Sequence, residues 1–352
     1  MGEIRLMKGN EALGEAAIRA GIQGFFGYPI TPQSEVIEYL AMEEPKYDYV
    51  LLQAESELGA VNMLYGAGGA GARVMTTTSS PGFSLMQEGI SYIACAEIPC
   101  VFANIVRGGP GLGTIQPSQS DYFQATKGGG HGDYHIIVLA PNSVQEMADH
   151  TMLAFELADK YRNPAMLLSD GAIGQMMEKL ILPDPKPYKP NKPWATIGKT
   201  KDRERNILTS LYIESEDMEQ KNLKLQAKFK MIMENEVLFE EFHTEDAEFI
   251  LVSYGLSSRI CKKTVDIGRE QGLKIGLFRP ITLWPYPVKK IEEMAGRKEV
   301  RFFMSIEMSA GQMVEDVKLA VCGKKPVHFY GRMGGIVPTP DEVLDAVKSH
   351  IT

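Results

Sequence analysis

The sequence predicts an α/β protein in which a block with a parallel sheet is followed by a smaller block of the same class. Up to about residue 180, short apolar segments alternate with amphipathic segments of helical length, and the same alternation resumes near residue 247. Strands that alternate with helices form parallel sheets with helices on both faces. Ligands of such folds bind beyond the carboxyl ends of the strands, so functional residues are expected where a strand ends.

Six apolar segments of the first block are predicted strands: FFGYPI (25–30), YVLLQAE (49–55), RVMTTTSS (73–80), IPCVFANIV (98–106), HIIVLAP (135–141) and PAMLLSD (164–170). Signals for helix starts separate several of them. Asn10 and Thr31 are typical N-cap residues, and Pro32 suits the first helical position after Thr31. Ser143 and Glu146 have the spacing of a capping box, which predicts a helix before the last of these strands.

The second block follows a proline-rich segment and a charged arm. Residues 183–193 contain five prolines, which predicts an extended linker. A helix from Glu216 to Asn235, capped by Ser215, is expected to pack as an arm on the domains or on a partner. Four strands are predicted in FILVSYG (249–255), KIGLFRPI (274–281), VRFFMSIE (300–307) and PVHFYGR (326–332), with a turn at Trp284. The predicted division is a first domain at 1–190, a linker and arm at 191–246, and a second domain at 247–352.

Composition argues against several functional classes. Lys and Arg number 37 against 45 Asp and Glu, a net charge of −8, so a nucleic-acid binder is not expected. No apolar stretch approaches the roughly 18 residues that a transmembrane helix needs, so no membrane association is expected. The four cysteines form no CxxC pair, so the chain by itself is not expected to hold an iron–sulfur cluster or zinc. Few cysteines and an N-terminus without export-signal character predict a cytoplasmic location.

The segment Tyr28, Pro29, Ile30, Thr31 and Pro32 lies where a predicted strand leads into a helix. The free N–H groups of that helix and the Thr31 hydroxyl are a suitable place for an anion at the mouth of a pocket. Taken alone, the residues favour the alternative that Thr31 only caps its helix.

Two carboxylates and an arginine complete the candidate residues. Glu55 and Glu57 lead into ELGAVNMLYGAGGAG, whose small residues allow another subunit or a flat ligand to approach closely. A carboxylate there can share or shuttle a proton, and electrostatics of the helix start is the alternative.

Arg107 follows the apolar strand CVFANIV and begins a glycine-rich loop, which suits two-point binding of a carboxylate or phosphate. A solvated loop arginine is the alternative for Arg107.

In their order along the chain, these motifs resemble the alpha subunit of 2-oxoacid:ferredoxin oxidoreductases. The resemblance runs from about residue 5 to 350 and rests on YPITPQSE, QAESELGAVNMLYGAGGAGARVMTTTSSPGFSLMQEG, EIPCVFANIVRGGPGLGTIQPSQSDYFQATKGGGHGDYH and RPITLWPYP. GLGTIQPSQSDYFQATKGGGHGDY is similar to the 2-oxoisovalerate (3-methyl-2-oxobutanoate, branched-chain) type. The Pro-Thr-Lys loop that is usual in 2-oxoglutarate-type relatives is absent.

The resemblance implies a thiamine-diphosphate pyrimidine-binding domain in residues 1–190 and a transketolase C-terminal-like domain from about residue 247. It implies thiamine diphosphate shared with a beta subunit that carries the diphosphate-binding domain and Mg²⁺. Iron–sulfur clusters would lie on partner chains, among them a ferredoxin-like subunit, and a gamma subunit and ferredoxin would be further partners. Ser169, Asp170, Gly171 and Asn191 imitate a diphosphate-binding motif, but a proline-rich linker precedes Asn191, so the match is interpreted as accidental.

The resemblance also implies roles for the candidate residues. Glu57 looks like the family carboxylate that hydrogen-bonds N1′ of the aminopyrimidine, with Glu55 as the competing assignment. Thr31 and Arg107 look like the groups that hold the oxoacid end of the substrate. Tyr28, Pro29 and Ile30 look like cofactor-binding residues of the same site.

The implied reaction is the oxidative decarboxylation of a branched-chain 2-oxoacid with coenzyme A, giving acyl-CoA, CO₂ and reduced ferredoxin. The chain would be active only with its partner subunits. The alternatives are 2-oxoglutarate or pyruvate as the substrate, a thiamine enzyme that works without ferredoxin, and a non-catalytic scaffold subunit.

Overall fold

The computed structural model describes residues 3–182, 184–185, 188, 191–199 and 201–351, so residues 183, 186–187 and 189–190 of the predicted linker lie outside the description. The strands of the described residues are β1 Glu3–Lys8, β2 Gly24–Gly27, β3 Val50–Gln53, β4 Val74–Thr78, β5 Val101–Val106, β6 Ile137–Leu139, β7 Ala165–Asp170, β8 Met177–Leu182, β9 Phe239–Phe242, β10 Phe249–Val252, β11 Ile275–Pro280, β12 Thr282–Trp284, β13 Phe302–Glu307 and β14 Val327–Gly331. Their helices are α1 Gly9–Arg19, α2 Ser34–Glu43, α3 Glu57–Gly69, α4 Pro81–Cys95, α5 Tyr122–Thr126, α6 Val144–Tyr161, α7 Gly171–Gln175, α8 Ser215–Asn235, α9 Gly255–Glu270, α10 Val288–Ala295, α11 Met313–Val321 and α12 Pro340–Lys348. No described helix is both long and apolar enough to cross a bilayer.

The first sheet contains the six strands predicted in the first block. Its seven strands follow the order β12-β6-β7-β5-β4-β2-β3, and β2 to β7 pair in parallel. The central strands β4, β5 and β7 are buried at every position, which explains their continuous apolar sequences. The predicted α/β class is confirmed.

The second sheet contains the four strands predicted in the second block, in the order β14-β13-β10-β11-β9. The predicted turn at Trp284 is wrong, because Thr282–Trp284 forms β12, which pairs antiparallel with β6 of the first sheet. Trp284 stacks on His135 with ring centroids 4.7 Å apart and meets the Phe229 ring edge-on. The second block therefore extends the first sheet, and one continuous core joins them. Three further strands were not predicted from the sequence: β1 and β8, which pair antiparallel with each other, and β9, which pairs antiparallel with β11.

The first helix does not begin as predicted. Asn10 lies inside α1, and its amide donates to Pro32 O at 2.8 Å and to Glu35 Oε2 at 3.0 Å. The helix starts at Gly9, two residues earlier than predicted, and the Glu11 carboxylate accepts the Lys8 backbone N–H. The Asn10 side chain, which the local pattern predicts as a helix cap, is thus used in contacts with residues 32–35 instead.

The second helix also begins later than expected. Thr31 is exposed and Gln33 directly precedes α2, so the prediction that Thr31 caps this helix is wrong. The capping box at Ser143 and Glu146 is confirmed, since Ser143 Oγ accepts the Glu146 N–H at 3.1 Å. The arm helix begins at Ser215 itself, one position before the predicted start, and no side chain caps it.

The arm helix α8 packs on the first block through its apolar face and an ion cluster. Its buried apolar residues are Leu225, Phe229 and Ile232. Beside them, Glu97 accepts hydrogen bonds from Lys221 at 2.6 Å and Lys224 at 2.7 Å, and Lys228 lies 3.6 Å away. Burial alone raises the pKa of Glu97, but the hydrogen bonds and charges of these lysines outweigh it and lower the pKa to about 2. The carboxylate therefore holds the arm in place by its charge.

We expect Glu97→Gln to destabilise the fold by about 1.5–3 kcal/mol at neutral pH, because buried lysines lose a charged partner. Since the folded pKa is depressed, this contribution is present above about pH 4.5 and is lost as the pH falls towards 2. Urea unfolding at several pH values measures it. Glu236→Gln is the control at the end of the same arm, because glutamine still accepts from the Tyr161 hydroxyl and the ion-pair partner Lys160 is 58% exposed. Equal stability of wild type and Glu97→Gln at pH 7 would contradict the assignment.

Candidate active site

A cavity of about 410 Å³ opens where the carboxyl ends of β4, β5, β13 and β14 approach each other. It is lined by Ser80, Pro81 and Ser84 after β4, by Arg107, Gly109, Pro110, Gly111, Ser118, Ser120, Asp121 and Gln124 after β5, by Met308, Ser309, Ala310 and Gln312 after β13, and by Met333 and Gly334 after β14. This is the edge at which parallel sheets bind ligands. Both sheets contribute to one cavity, which the sequence pattern alone did not indicate.

Arg107 is the first residue after β5 and is only 7% exposed, so it is not a solvated loop residue. Its Nη1 donates to Thr31 O and its Nη2 to Leu112 O, each at 2.9 Å. Its Nε has no hydrogen-bond partner among the described residues. Two carbonyls orient this guanidinium without neutralising it, which leaves a positive charge suited to an anionic ligand.

The structure brings Thr31 and Arg107 together through the Thr31 backbone rather than its hydroxyl. The shape of the segment before α2 is held by Gln33, whose Nε2 donates to Tyr28 O at 3.0 Å. Thr31 and Pro29 are exposed, while Tyr28 and Ile30 are half-buried. The segment therefore combines an internal anchor with accessible side chains.

Glu57 and Glu55 differ in burial although they are two positions apart. Glu57 is the first residue of α3 and is 5% exposed, while Glu55 is exposed and lies over Gly59 on the outside of the helix start. Ser56 caps the helix by accepting the Gly59 N–H at 3.2 Å. Within the described part of the chain, no group donates a hydrogen bond to the Glu57 carboxylate. The carboxylate oxygens of this largely buried residue are therefore free to accept a hydrogen bond from a ligand.

The Glu57 carboxylate occupies a space, here called the Gly82 cradle, that is open only because residue 82 is a glycine. A Cβ atom built on Gly82 would be far inside van der Waals contact with Glu57 Oε1 and Thr78 Oγ1. Gly82 belongs to the first turn of α4, and Ser80 and Pro81 directly before it line the cavity. The start of α4 thus contacts Glu57 and also contributes to the cavity that Arg107 lines.

Three polar residues at the cavity were missed in the sequence analysis. Ser80, Asn104 and Asp121 are buried and joined by hydrogen bonds. Ser80 and Asp121 line the cavity, and Asn104 does not. The available signal was Asn104, a polar residue in the middle of the apolar segment VFANIV. A buried polar side chain in a central strand needs partners, so it marks a network.

The residues that resemble a diphosphate-binding motif, Asp170 and Asn191, do not line this cavity. Asp170 ends β7, and its Oδ1 accepts the N–H groups of Ala172 and Ile173, which caps α7. Burial raises the pKa of Asp170 to about 6. Asn191 is exposed beyond the proline-rich segment.

Comparison with known proteins gives concordant matches along the whole chain. The family model described as "Pyruvate flavodoxin/ferredoxin oxidoreductase, thiamine diP-bdg" matches residues 15–236, and "Pyruvate:ferredoxin oxidoreductase core domain II" matches residues 247–343. Ketoisovalerate oxidoreductase subunit VorB of Methanothermobacter marburgensis is 50% identical over 98% of this chain and 97% of its own length. The 2-oxoglutarate synthase subunit KorA of Methanocaldococcus jannaschii is 37% identical over 98% of this chain and 99% of its own.

A solved structure gives the same result at the level of the fold. The 2-oxoglutarate:ferredoxin oxidoreductase from Magnetococcus marinus, with 2-oxoglutarate, coenzyme A and succinyl-CoA bound, superposes with a TM-score of 0.85 at 26% identity. The match covers 100% of this chain, which spans 66% of that longer chain. The expected fold class, a pyrimidine-binding-type parallel-sheet domain followed by a transketolase C-terminal-like domain, is confirmed. The chain belongs to the family of thiamine-diphosphate-dependent 2-oxoacid:ferredoxin oxidoreductase subunits.

Proposed function

We propose that this chain is the alpha subunit of an enzyme that oxidatively decarboxylates a branched-chain 2-oxoacid, with 2-oxoisovalerate as the favoured substrate. Coenzyme A would receive the acyl group and ferredoxin the electrons. The name and the 50% identity of the ketoisovalerate oxidoreductase subunit support the choice of substrate. The observation that carries the proposal is the unpartnered carboxylate of the largely buried Glu57, which lies against Gly82 in a chain that belongs to this family.

Glu57 has the properties that thiamine diphosphate requires from this half of its site. When bound, thiamine diphosphate supplies a carbon nucleophile and an electron sink for decarboxylation. The Glu57 carboxylate would accept a hydrogen bond from N1′ of the aminopyrimidine and hold a proton there. The half-buried Tyr28 and Ile30, with Pro29 between them, would contact the cofactor on the neighbouring segment.

The substrate's oxoacid end would be held by Arg107 and Thr31. Arg107 offers a buried guanidinium at the cavity, and the Thr31 carbonyl orients it through the bond from Nη1. The Thr31 hydroxyl, on an exposed residue, would add a second hydrogen bond to the substrate. Fork geometry favours arginine for a carboxylate, which is the group common to all 2-oxoacids.

The rest of the site would come from partner chains. We infer a beta subunit with the diphosphate-binding domain and Mg²⁺, a gamma subunit, and a ferredoxin-like subunit with the iron–sulfur clusters. The proposed division of this chain into 1–190, 191–246 and 247–352 makes the first domain the pyrimidine-binding half. A cytoplasmic location is part of the same proposal, and the low cysteine content supports it.

Co-purification of the chain with its partners, followed by substrate profiling, tests the proposal. The complex should reduce ferredoxin or a low-potential dye fastest with 2-oxoisovalerate and coenzyme A. The identity to 2-oxoglutarate synthase subunits makes 2-oxoglutarate the second candidate, and pyruvate is the third. A preference for 2-oxoglutarate would overturn the branched-chain assignment, and equal turnover without this chain would overturn the catalytic one.

Gly82→Ala should lower turnover of the complex by roughly a hundredfold, because the added methyl group displaces the Glu57 carboxylate. Gly69→Ala is the matched control in α3, where an added Cβ makes only ordinary van der Waals contacts. Circular dichroism and assembly should be normal for both variants. Wild-type turnover by Gly82→Ala would mean that the position of Glu57 does not matter.

A further inference from the structure

A continuous series of hydrogen bonds runs from Asp121 in the cavity wall to the backbone of Arg107. Asp121 Oδ2 accepts from Asn104 Nδ2 at 2.8 Å, and Asn104 Oδ1 accepts from Ser80 N at 2.9 Å. Ser80 Oγ accepts the Arg107 N–H at 3.1 Å and donates to Arg107 O at 3.3 Å. Asn104 and Ser80 therefore connect the Asp121 carboxyl group to the backbone N–H and C=O of Arg107.

The residues that form this series of hydrogen bonds are buried from solvent. The exposed fractions are 6% for Asp121, 0% for Asn104, 9% for Ser80 and 7% for Arg107. Breaking one bond leaves buried polar groups without water to replace the partner. Ser80 also has a φ of +21°, which is unusual for a residue with a side chain, so its turn needs support from its neighbours.

Asp121 can provide that support in either protonation state. Burial raises the pKa of Asp121, and hydrogen bonds from Ser80, Asn104 and Gln124 oppose the rise. A carboxyl oxygen accepts the Asn104 N–H whether or not the other oxygen carries a proton. An asparagine at this position would offer the same acceptor, whereas an alanine would offer none.

The contacts of Asp121 also argue against direct binding of the substrate. Its carboxyl group lines the same cavity as Arg107, but a carboxylate there would repel a 2-oxoacid rather than attract it. Its hydrogen bond from Asn104 instead joins it to the strand β5, which ends directly before Arg107.

We propose that Asp121 is a positioning residue, which holds the Arg107 backbone through Asn104 and Ser80 and so aims the guanidinium at the 2-oxoacid. This inference rests on the proposed function, because Arg107 is taken as the group that holds the substrate. Loss of the support should weaken 2-oxoacid binding more than it slows the later steps.

Steady-state kinetics of the assembled complex tests the inference. Asp121→Asn should keep a KM for 2-oxoisovalerate close to that of wild type, while Asp121→Ala should raise it about tenfold or more. The KM for coenzyme A should not change in either variant. Asp170→Ala is the control, a buried aspartate at the end of the neighbouring strand β7 that does not line the cavity. If Asp121→Asn is as damaging as Asp121→Ala, or if Asp121→Ala leaves the KM unchanged, the positioning role is wrong.

Amide hydrogen exchange on the full chain gives a readout that does not need turnover. In Asp121→Ala the N–H groups of Ser80 and Arg107 should exchange faster, while Asp121→Asn should protect them as wild type does. If the wild-type complex oxidises no 2-oxoacid, the proposed function fails and the exchange data still decide whether Asp121 holds Arg107. If the wild type is active but Asp121→Ala leaves both amides protected, this inference alone fails.

Discussion

Glu57→Gln is expected to abolish 2-oxoacid oxidation while the subunits still assemble. Glutamine is almost the same size, so it fits the same space against Gly82. It cannot hold a proton between itself and the cofactor ring as a carboxylate does, and loss of positioned acid–base catalysis costs roughly 10²- to 10⁴-fold in rate. Reduction of a low-potential acceptor by the purified complex measures the effect.

Glu55→Gln is the matched control, because Glu55 is a neighbouring carboxylate at the same helix start but is exposed. This variant should retain turnover. A Glu57→Gln complex of normal subunit composition with near-normal turnover would refute the role of Glu57. Loss of activity in Glu55→Gln alone would transfer the role to the competing carboxylate.

Arg107→Lys should lower kcat/KM for the 2-oxoacid about ten- to a hundredfold, the effect of losing a charged hydrogen-bond partner. An ammonium group keeps the charge but cannot bond Thr31 O and Leu112 O while it binds a carboxylate in fork geometry. Most of the loss should appear in KM, since the group acts on substrate binding. Initial rates over a range of 2-oxoacid concentrations give both constants.

The KM for coenzyme A serves as the internal control for Arg107→Lys, because Arg107 is assigned to the oxoacid alone. Arg301→Lys provides a second control at the far end of the second sheet, where Arg301 bonds the backbone near the C-terminus. An unchanged kcat/KM for the 2-oxoacid in Arg107→Lys would count against its role.

The central strands could be predicted because fully buried strands have continuous apolar sequences. Strands β4, β5 and β7 have helices on both faces, so every residue in them is selected to be buried, and an uninterrupted apolar run results. The strand β12 has only three residues and lies between prolines, so the same reasoning read it as a turn. Its pairing with β6 depends on a segment more than a hundred residues earlier.

Helix starts were predicted well only where the cap is local. Ser143 bonds a backbone group three residues ahead, which a sequence pattern captures. The side chain of Asn10 instead bonds Pro32 and Glu35, more than twenty residues away, so its pattern was misleading.

By itself the sequence determined the α/β class, the order of the principal strands and the family to which the chain belongs, because these depend on local periodicity and on motifs of adjacent residues. Only the tertiary structure decided that Glu57 rather than Glu55 is buried, that Arg107 meets the Thr31 carbonyl, and that both sheets share one cavity. These properties arise from contacts between segments that are distant in the chain, and a local sequence pattern does not specify which distant groups come into contact.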